Sequence, residues 1–592
     1  MLFFLQSFLK ILSPNQILSI WYATSLLVFL ALLEVLHLGL ISFLIINLSD
    51  LDAVTGEINF INDMANIINL SLISPSVILC TLIILFAIAN TLISTVIIKR
   101  ISVFSQNLGI AIKAKIIRHY LSLTWEDLGQ IPTSEGMSRI LNDGMHVADS
   151  LYFALNLMSK LVLALMISAL LFFYNPPITL FIVFFLSVSY CTLFYLFSRS
   201  IKKNSKIIVL AEDSILQILK NLFGSLKEII FYNTSKRVLS EFQSIGSNFA
   251  TAKGSNLALA QIPRYIIDSL LLVIIVIGIL IVNLNAINPA AFFTMISVYG
   301  IAALKLLPAF QNVFYFAQEI NARAPNLQNI AHLLSTDYRI VTLQNSDASQ
   351  DLNPIRKIYF HDIGYSYPLS ASKSLSDLSF NIETDNKIAI IGPSGSGKST
   401  FIDILLGLIS PNSGSIEVND QQLTHEQINS YRKSFTYVPQ KIFFIEGTLR
   451  ENLLFGHIDL AHEPNLLRIT QEPFLQQLID SLPHGLETFL SDENQMVSGG
   501  QKQLIGIARA LIRGGDILVL DEATSAMDSA LEASVYKSIF TAPFKIIISV
   551  THNPTILKFF DKIIILNQGS IEDCGKYDAL LSRNKFVKDM LG

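Results

Sequence analysis

Charge is scarce in this sequence. Only 15% of its 592 residues are Asp, Glu, Lys or Arg, against 51% hydrophobic, a balance foreign to an ordinary soluble enzyme. With 42 basic and 46 acidic residues the chain also lacks the basic excess of a nucleic-acid binder, so no nucleic acid is expected as a partner. Cysteine is rarer still: Cys80, Cys191 and Cys574 stand far apart, which excludes a disulfide framework and the spacing of a zinc site. The opening MLFFLQSFLKILS has neither a charged start nor a small-residue cleavage site. It reads as an amphipathic helix on a membrane surface rather than a cleavable signal.

What charge there is falls unevenly. Long uncharged blocks fill the chain before about residue 320, and ordinary polar alternation follows, so a membrane half precedes a soluble half. A spanning helix needs ~20 mostly apolar residues. Six stretches qualify, near 17–47, 76–98, 150–174, 178–198, 265–284 and 289–317. Between them, 99–145 and 199–262 are rich in Lys and Arg, whereas 48–75, 175–177 and 285–288 contain neither. The positive-inside rule therefore places both long basic segments, both termini and the soluble half in the cytoplasm. Within the external segment, Phe60, Ile61, Met64, Ile67 and Ile68 recur at helical spacing, which predicts an amphipathic helix near 58–70.

Residues 1–323 are thus expected to be an all-α membrane domain, 324–352 a polar linker, and 353–592 an α/β domain with a largely parallel sheet. The α/β half carries explicit chemistry. KIAII is an apolar strand that runs into Gly392, Pro393, Ser394, Gly395, Ser396, Gly397, Lys398, Ser399 and Thr400, the phosphate-binding pattern G-x-x-x-x-G-K-[ST]. Its glycines admit backbone N–H groups to phosphate oxygens, Lys398 reaches the β and γ phosphates, and the Ser399 hydroxyl ligates Mg²⁺. A second apolar strand ends in Asp521 and Glu522. Beside a nucleotide, Asp521 would hold Mg²⁺ and Glu522 would orient and deprotonate the attacking water. The plainer reading, a buried strand with an acidic cap, loses ground to Ser498, Gly499, Gly500 and Gln501 just upstream.

With these motifs in this order, the chain resembles the ATP-binding cassette family over essentially its whole length. The resemblance makes Ser498–Gln501 the signature, 525–528 with Asp528 the D-loop, His552 the switch histidine, and Gln440 a Q-loop residue that also approaches Mg²⁺. It makes Tyr367 the aromatic that stacks on adenine. It also implies that each ATP is sandwiched between the phosphate loop of one cassette and the signature of another, so one chain is half of a dimer, by default a homodimer. Val497, Leu504 and the approach LSDENQM depart from the family pattern around the signature. Six spans, two long cytoplasmic segments and a C-terminal cassette resemble the exporter type, in which short helices near 124–131 and 223–232 would transmit cassette closure.

Cargo must be argued from the membrane half, since ATPase chemistry is common to the family. A charge at the centre of a span costs ~3 kcal/mol on insertion scales. The ionisable groups there are few: Glu34, His37, Lys160, Arg264, Asp268 and Lys305. At ~1.5 Å per residue, Arg264 and Lys305 both lie roughly 25 to 30 Å from the external ends of their helices, which predicts a shared level. Arg264 is alternatively an internal pair with Asp268 one turn away, and Lys305 a snorkelling lysine. PRYIIDSLLL, ALKLLPAF and LLEVLHLGL resemble bacterial lipid-linked oligosaccharide flippases of the PglK type. That resemblance implies a polyprenyl-pyrophosphate glycan as substrate, Arg264 and Lys305 as a cationic belt for its headgroup, and the bacterial inner membrane as the location. The alternative is an exporter of another lipid, of lipid A type, or of hydrophobic drugs.

Overall fold

The computed structural model describes residues 13–49, 75–284, 289–335, 354–368, 372–455, 463–491 and 496–589. The expected surface helix at the start and the expected external helix near 58–70 lie outside these residues. The chain divides into two compact units, 1–342 and 343–592, with Thr124–Glu126 grouped with the second.

The first unit is helical. Its elements are α1 (Pro14–Ser49), α2 (Pro75–Ser122), α3 (Trp125–Gln130), α4 (Thr133–Ser138), a π turn (Arg139–Asp143), α5 (Gly144–Tyr174), α6 (Pro176–Gly224), α7 (Leu226–Phe231), α8 (Ser235–Leu284), α9 (Pro289–Ala322) and α10 (Ala324–Ser335). Each of the six apolar stretches lies on one of the long helices. Among the described residues five helices are long and apolar enough to cross a membrane, and the sixth stretch lies on the 34-residue α9. Between 11% and 33% of each of the five apolar windows is buried within the protein. Side chains such as Trp21, Phe173, Phe184 and Val276 stand exposed, as lipid-facing groups must.

Two expectations need correction. The basic segments are largely continuous helix rather than loop: α2 and α6 run on for tens of residues past their apolar stretches with no Pro to stop them, and α8 starts tens of residues before its own and continues through Pro263. The short helices expected near 124–131 and 223–232 sit at the tips of these extensions as α3 and α7. Residues 324–335, expected to begin a linker, instead form α10 within the first unit. Leu327, Ile330 and Leu333 recur at helical spacing and are buried, and Asn326 Nδ2 donates to Asp143 Oδ1 at 2.7 Å.

In the second unit the strands are β1 (Lys357–Tyr365), β2 (Leu375–Glu383), β3 (Lys387–Ile391), β4 (Ser413–Val418), β5 (Gln421–Gln422), β6 (Phe435–Val438), β7 (Gly447–Thr448), β8 (Phe489–Leu490), β9 (Ile517–Asp521), β10 (Ile546–Val550), β11 (Lys562–Asn567) and β12 (Ser570–Gly575). A six-stranded sheet has the order β12-β11-β3-β10-β9-β6, parallel except for the antiparallel edge β12. A separate antiparallel sheet has the order β2-β1-β4-β5. The near-continuous apolar runs of β3, β9 and β10 follow from burial of both sheet faces. Ile388 and Ile390 enter one hydrophobic core, whereas Ala389 and Ile391 enter the other.

Candidate nucleotide site

Four adjacent parallel strands of the second unit, β3, β10, β9 and β6, end at the same edge of the sheet. The segments that follow them carry every catalytic residue expected from the sequence. The phosphate loop follows β3, His552 follows β10, Asp521 and Glu522 close β9, and Gln440 follows β6. Ligands of open α/β sheets bind at such carboxyl ends.

The loop is shaped by backbone. Gly392 has φ 155° and a Cβ there would stand 2.1 Å from Leu566 O; Gly397 has φ 99° and a Cβ would meet Ser374 O at 2.7 Å. Only glycine satisfies both positions. Gly397 then caps α11 (Lys398–Leu405), whose N-terminal N–H groups and dipole favour an anion. Lys398 Nζ donates to the carbonyls of Gly392 at 2.8 Å and Pro393 at 3.0 Å, so its ammonium folds over the loop. Burial pushes its pKa down, while Glu522 and Asp521 push it back up. Ser396 Oγ is buried without a partner among the described residues, a donor that a bound phosphate would satisfy. Thr400 is buried, and Pro393, Ser394, Gly395 and Ser399 are exposed at the mouth.

Glu522 is the hub. Gln440 Nε2 donates to its Oε2 at 2.6 Å, and His552 Nε2 lies 3.1 Å from its Oε1. These three residues are remote in sequence, and the parallel sheet brings their side chains together. Glu522 also has φ 49°, a left-handed backbone rare for a non-glycine residue, secured by its N–H to Val550 O at 3.2 Å. Asp521 is held above the ordinary carboxylate range by burial first and Glu522 second, and Tyr437 Oη lies within 3.4 Å of its Oδ2. Ser399, Gln440 and Asp521 together make an all-oxygen donor set of the kind Mg²⁺ requires.

The signature turn packs on the D-loop. Ser498 is the N-cap of α12 (Gly499–Arg513) in a capping box closed by Gln501, and a Cβ on Gly500 would meet Ala526 O at 2.8 Å. Asp528 caps α13 (Ser529–Thr541), its Oδ1 accepting from Leu531 N at 2.9 Å. Tyr367 is 41% exposed and stacks edge-on against Tyr365, with ring centroids 5.0 Å apart. An exposed ring at this position is available to a nucleotide base.

Sequence reasoning missed two contributors. Gln503 ties signature to D-loop: its Nε2 donates to Ser525 Oγ at 3.0 Å and its Oε1 accepts from Ala526 N at 2.9 Å. A glutamine opening the otherwise apolar face of QLIGIARALI was the available signal. Asp403 on α11 has its pKa raised to about 6, by burial first and then by Asp521. Nothing in FIDILLGLI distinguishes that aspartate from an ordinary exposed helix residue.

The membrane-half cations are both paired. Arg264 Nε lies 3.8 Å from Asp268 Oδ2, and Gln311 Nε2 donates to the same carboxylate at 3.0 Å. Lys305 Nζ lies 3.6 Å from Glu34 Oε2, and Lys160 Nζ lies 3.6 Å from Glu34 Oε1. The Gln311–Asp268 contact fixes the register of α9 against α8. Lys305 then stands six residues, ~9 Å, to one side of that contact and Arg264 four residues, ~6 Å, to the other, so the two cations do not share a level.

Comparison with known proteins agrees with this architecture. A family model described as ABC transporter matches residues 375–525. The ATP-dependent permease MDL1 of Candida albicans is 37% identical over 231 residues, 38% of this chain and 33% of that protein. The ATP-dependent lipid A-core flippase of Bordetella avium (strain 197N) is 34% identical over 231 residues, 39% of either chain. The chain thus spans between a third and two fifths of the length of these curated relatives. A solved structure of a bacterial Atm1-family ABC exporter with ATP bound superposes with a TM-score of 0.77 at 18% identity, covering 98% of both chains. Residues 375–525 therefore belong to an ABC transporter nucleotide-binding domain, and the chain as a whole has the fold of an ABC exporter, a helical membrane domain followed by that cassette.

Proposed function

We propose that this protein is an ATP-driven exporter, working as a homodimer in the bacterial inner membrane with both termini cytoplasmic, that moves a polyprenyl-pyrophosphate-linked oligosaccharide to the outer leaflet. The convergence of Gln440, Glu522 and His552 beside the phosphate loop carries the ATPase part of the reading. ATP supplies the γ-phosphoryl group and Mg²⁺ the neutralising charge when bound. The loop N–H groups and Lys398 hold the phosphates, while Ser399, Gln440 and Asp521 hold the ion. Glu522 orients and deprotonates water, with Gln440 fixing one carboxylate oxygen and His552 the other. The signature residues Ser498, Gly499, Gly500 and Gln501, with Asp528, close the site of a second copy. The packing of Gly499 and Gly500 against Ala526 of their own D-loop supports that division of labour. The tip helices α3 and α7 pass closure to the spans.

The cargo reading rests on the surplus positive charge in the membrane half, two lysines on one carboxylate, together with the resemblance in PRYIIDSLLL and ALKLLPAF. A drug pump would favour aromatic or acidic cavity residues. The likeness to a lipid A-core flippase supports a second reading, an exporter of another phosphorylated lipid. Proteoliposomes loaded in parallel with fluorescent polyprenyl-pyrophosphate glycan, lipid A and a drug panel separate these readings. ATP-dependent translocation of the glycan lipid is expected; stimulation by the drugs alone overturns the assignment.

A further inference from the structure

The pairing of Lys305 suggests more than a cation waiting for a headgroup. Glu34 on α1 bridges Lys160 on α5 and Lys305 on α9, one carboxylate oxygen to each ammonium, both at 3.6 Å. Both distances lie beyond hydrogen-bond range, so the contacts are electrostatic and loosely held. The cluster has two positive charges and one negative. Its exposure is graded, with the side chain of Glu34 16% accessible, Lys160 24% and Lys305 46%. The Arg264 pair is built otherwise: one cation meets one anion, and Gln311 secures the anion with a 3.0 Å hydrogen bond. It is neutral and anchored, whereas the Glu34 cluster is surplus-charged and has no anchoring hydrogen bond among the described residues.

We propose that Glu34 is an internal counter-ion that an anionic cargo group displaces, and that Lys160 and Lys305 together form the phosphate-recognising pair. This rests on the cargo reading above and extends it, since Lys160 was no part of the expected belt. In the resting protein the carboxylate holds two ammonium groups from different helices toward one point. A phosphoryl group likewise presents two charged oxygens from a single atom and can span the same pair. The exchange is also selective. A carboxylate ligand offers the lysines only what Glu34 already supplies, whereas a pyrophosphate brings two or more negative charges and neutralises both. Glu34 thus filters cargo by charge: it costs every anion a competition and rewards those with more than one negative charge.

The test uses the full-length protein in nanodiscs, with ATPase stimulation titrated against polyprenyl pyrophosphate, polyprenyl monophosphate and a long-chain fatty acid. Thermal unfolding is recorded alongside, without ligand. Wild type is expected to respond at the lowest concentration to the pyrophosphate and at the highest to the fatty acid. Glu34→Gln should lower the half-saturating concentration roughly tenfold and narrow the preference for pyrophosphate over fatty acid, because the competitor is gone. Lys160→Gln should raise half-saturation roughly tenfold, as should Lys305→Gln. If Glu34→Gln lowers the unfolding temperature while leaving half-saturation unchanged or higher, the cluster is only a helix staple and the proposal fails. An unaltered half-saturation in Lys160→Gln sinks it equally, even where Glu34→Gln does not fold. Should wild type respond to none of the phosphorylated lipids, the cargo reading itself falls and this inference with it. A wild-type response without the variant shifts removes this inference and leaves the cargo reading standing.

Discussion

The two halves of this molecule place their chemistry by different means. In the cassette, functional groups hang from the ends of four adjacent parallel strands, so backbone register alone brings Gln440, Glu522 and His552 into contact. In the membrane half the charged groups stand midway along helices, and the rotation and axial shift of each helix decide which ones meet. A strand end offers few choices of neighbour. A helix midpoint offers many, and Glu34 found two partners rather than one.

The contrast can be pressed experimentally, beginning where the effect is largest. Glu522→Gln should cut ATP hydrolysis by roughly 10² to 10⁴-fold, the range for a general base, while ATP binding persists. Phosphate release and nucleotide filter binding measure the two, and turnover near the wild-type rate would show that the base lies elsewhere. Lys398→Met should weaken binding itself, by a factor of ten or more, because its ammonium is the charge folded over the loop. In the membrane half, Lys305→Ala should reduce lipid translocation and lipid-stimulated ATPase more than basal ATPase or expression. The opposite pattern, poor expression with normal transport per molecule, would make Lys305 a structural residue.

Smaller effects test the backbone. Gly392→Ala forces a methyl group toward Leu566 O at a strained φ, and should cost about 1 to 3 kcal/mol, read as a lower unfolding temperature of the cassette transition. The smallest concerns Asp403, whose pKa of about 6 lies above its ordinary 3.8. A carboxyl group with a raised folded pKa holds its proton more tightly when folded, so its contribution to stability declines as pH rises from about 4 to about 6. Asp403→Asn should flatten that decline and leave the protein more stable than wild type at neutral pH. An unchanged profile between pH 4 and 6 would mean that the carboxyl is solvated in the folded state.

Much of the cassette was legible because its function is written in contiguous segments. A phosphate loop needs its glycines, lysine and hydroxyl consecutively, since one strand-to-helix turn supplies all of them, and Gly392, Gly397 and Lys398 behave as that spacing requires. Paired carboxylates at a strand end are similarly local. Gln503 and Asp403 were not legible, because their importance comes from what another segment brings near them. In the membrane half the apolar stretches predicted the long helices. The helical continuity past the apolar stretches was missed because apolarity marks only the part that contacts lipid, while intrahelical hydrogen bonding persists until the backbone leaves helical geometry, as at Ser225 with φ −129° and ψ 29°. The start of the linker was misjudged likewise, since Leu327, Ile330 and Leu333 are spaced for a helix inside a polar stretch.

By itself the sequence determined the division into membrane and cassette halves, the phosphate loop and the pair Asp521–Glu522, because hydropathy and short-range backbone geometry are local properties. Tertiary structure alone decided that Glu522 sits between Gln440 and His552, that Arg264 and Lys305 occupy different levels, and that Lys305 shares Glu34 with Lys160. Each of those outcomes depends on the register between segments distant in the chain, and register is fixed by packing and not by the composition of either segment.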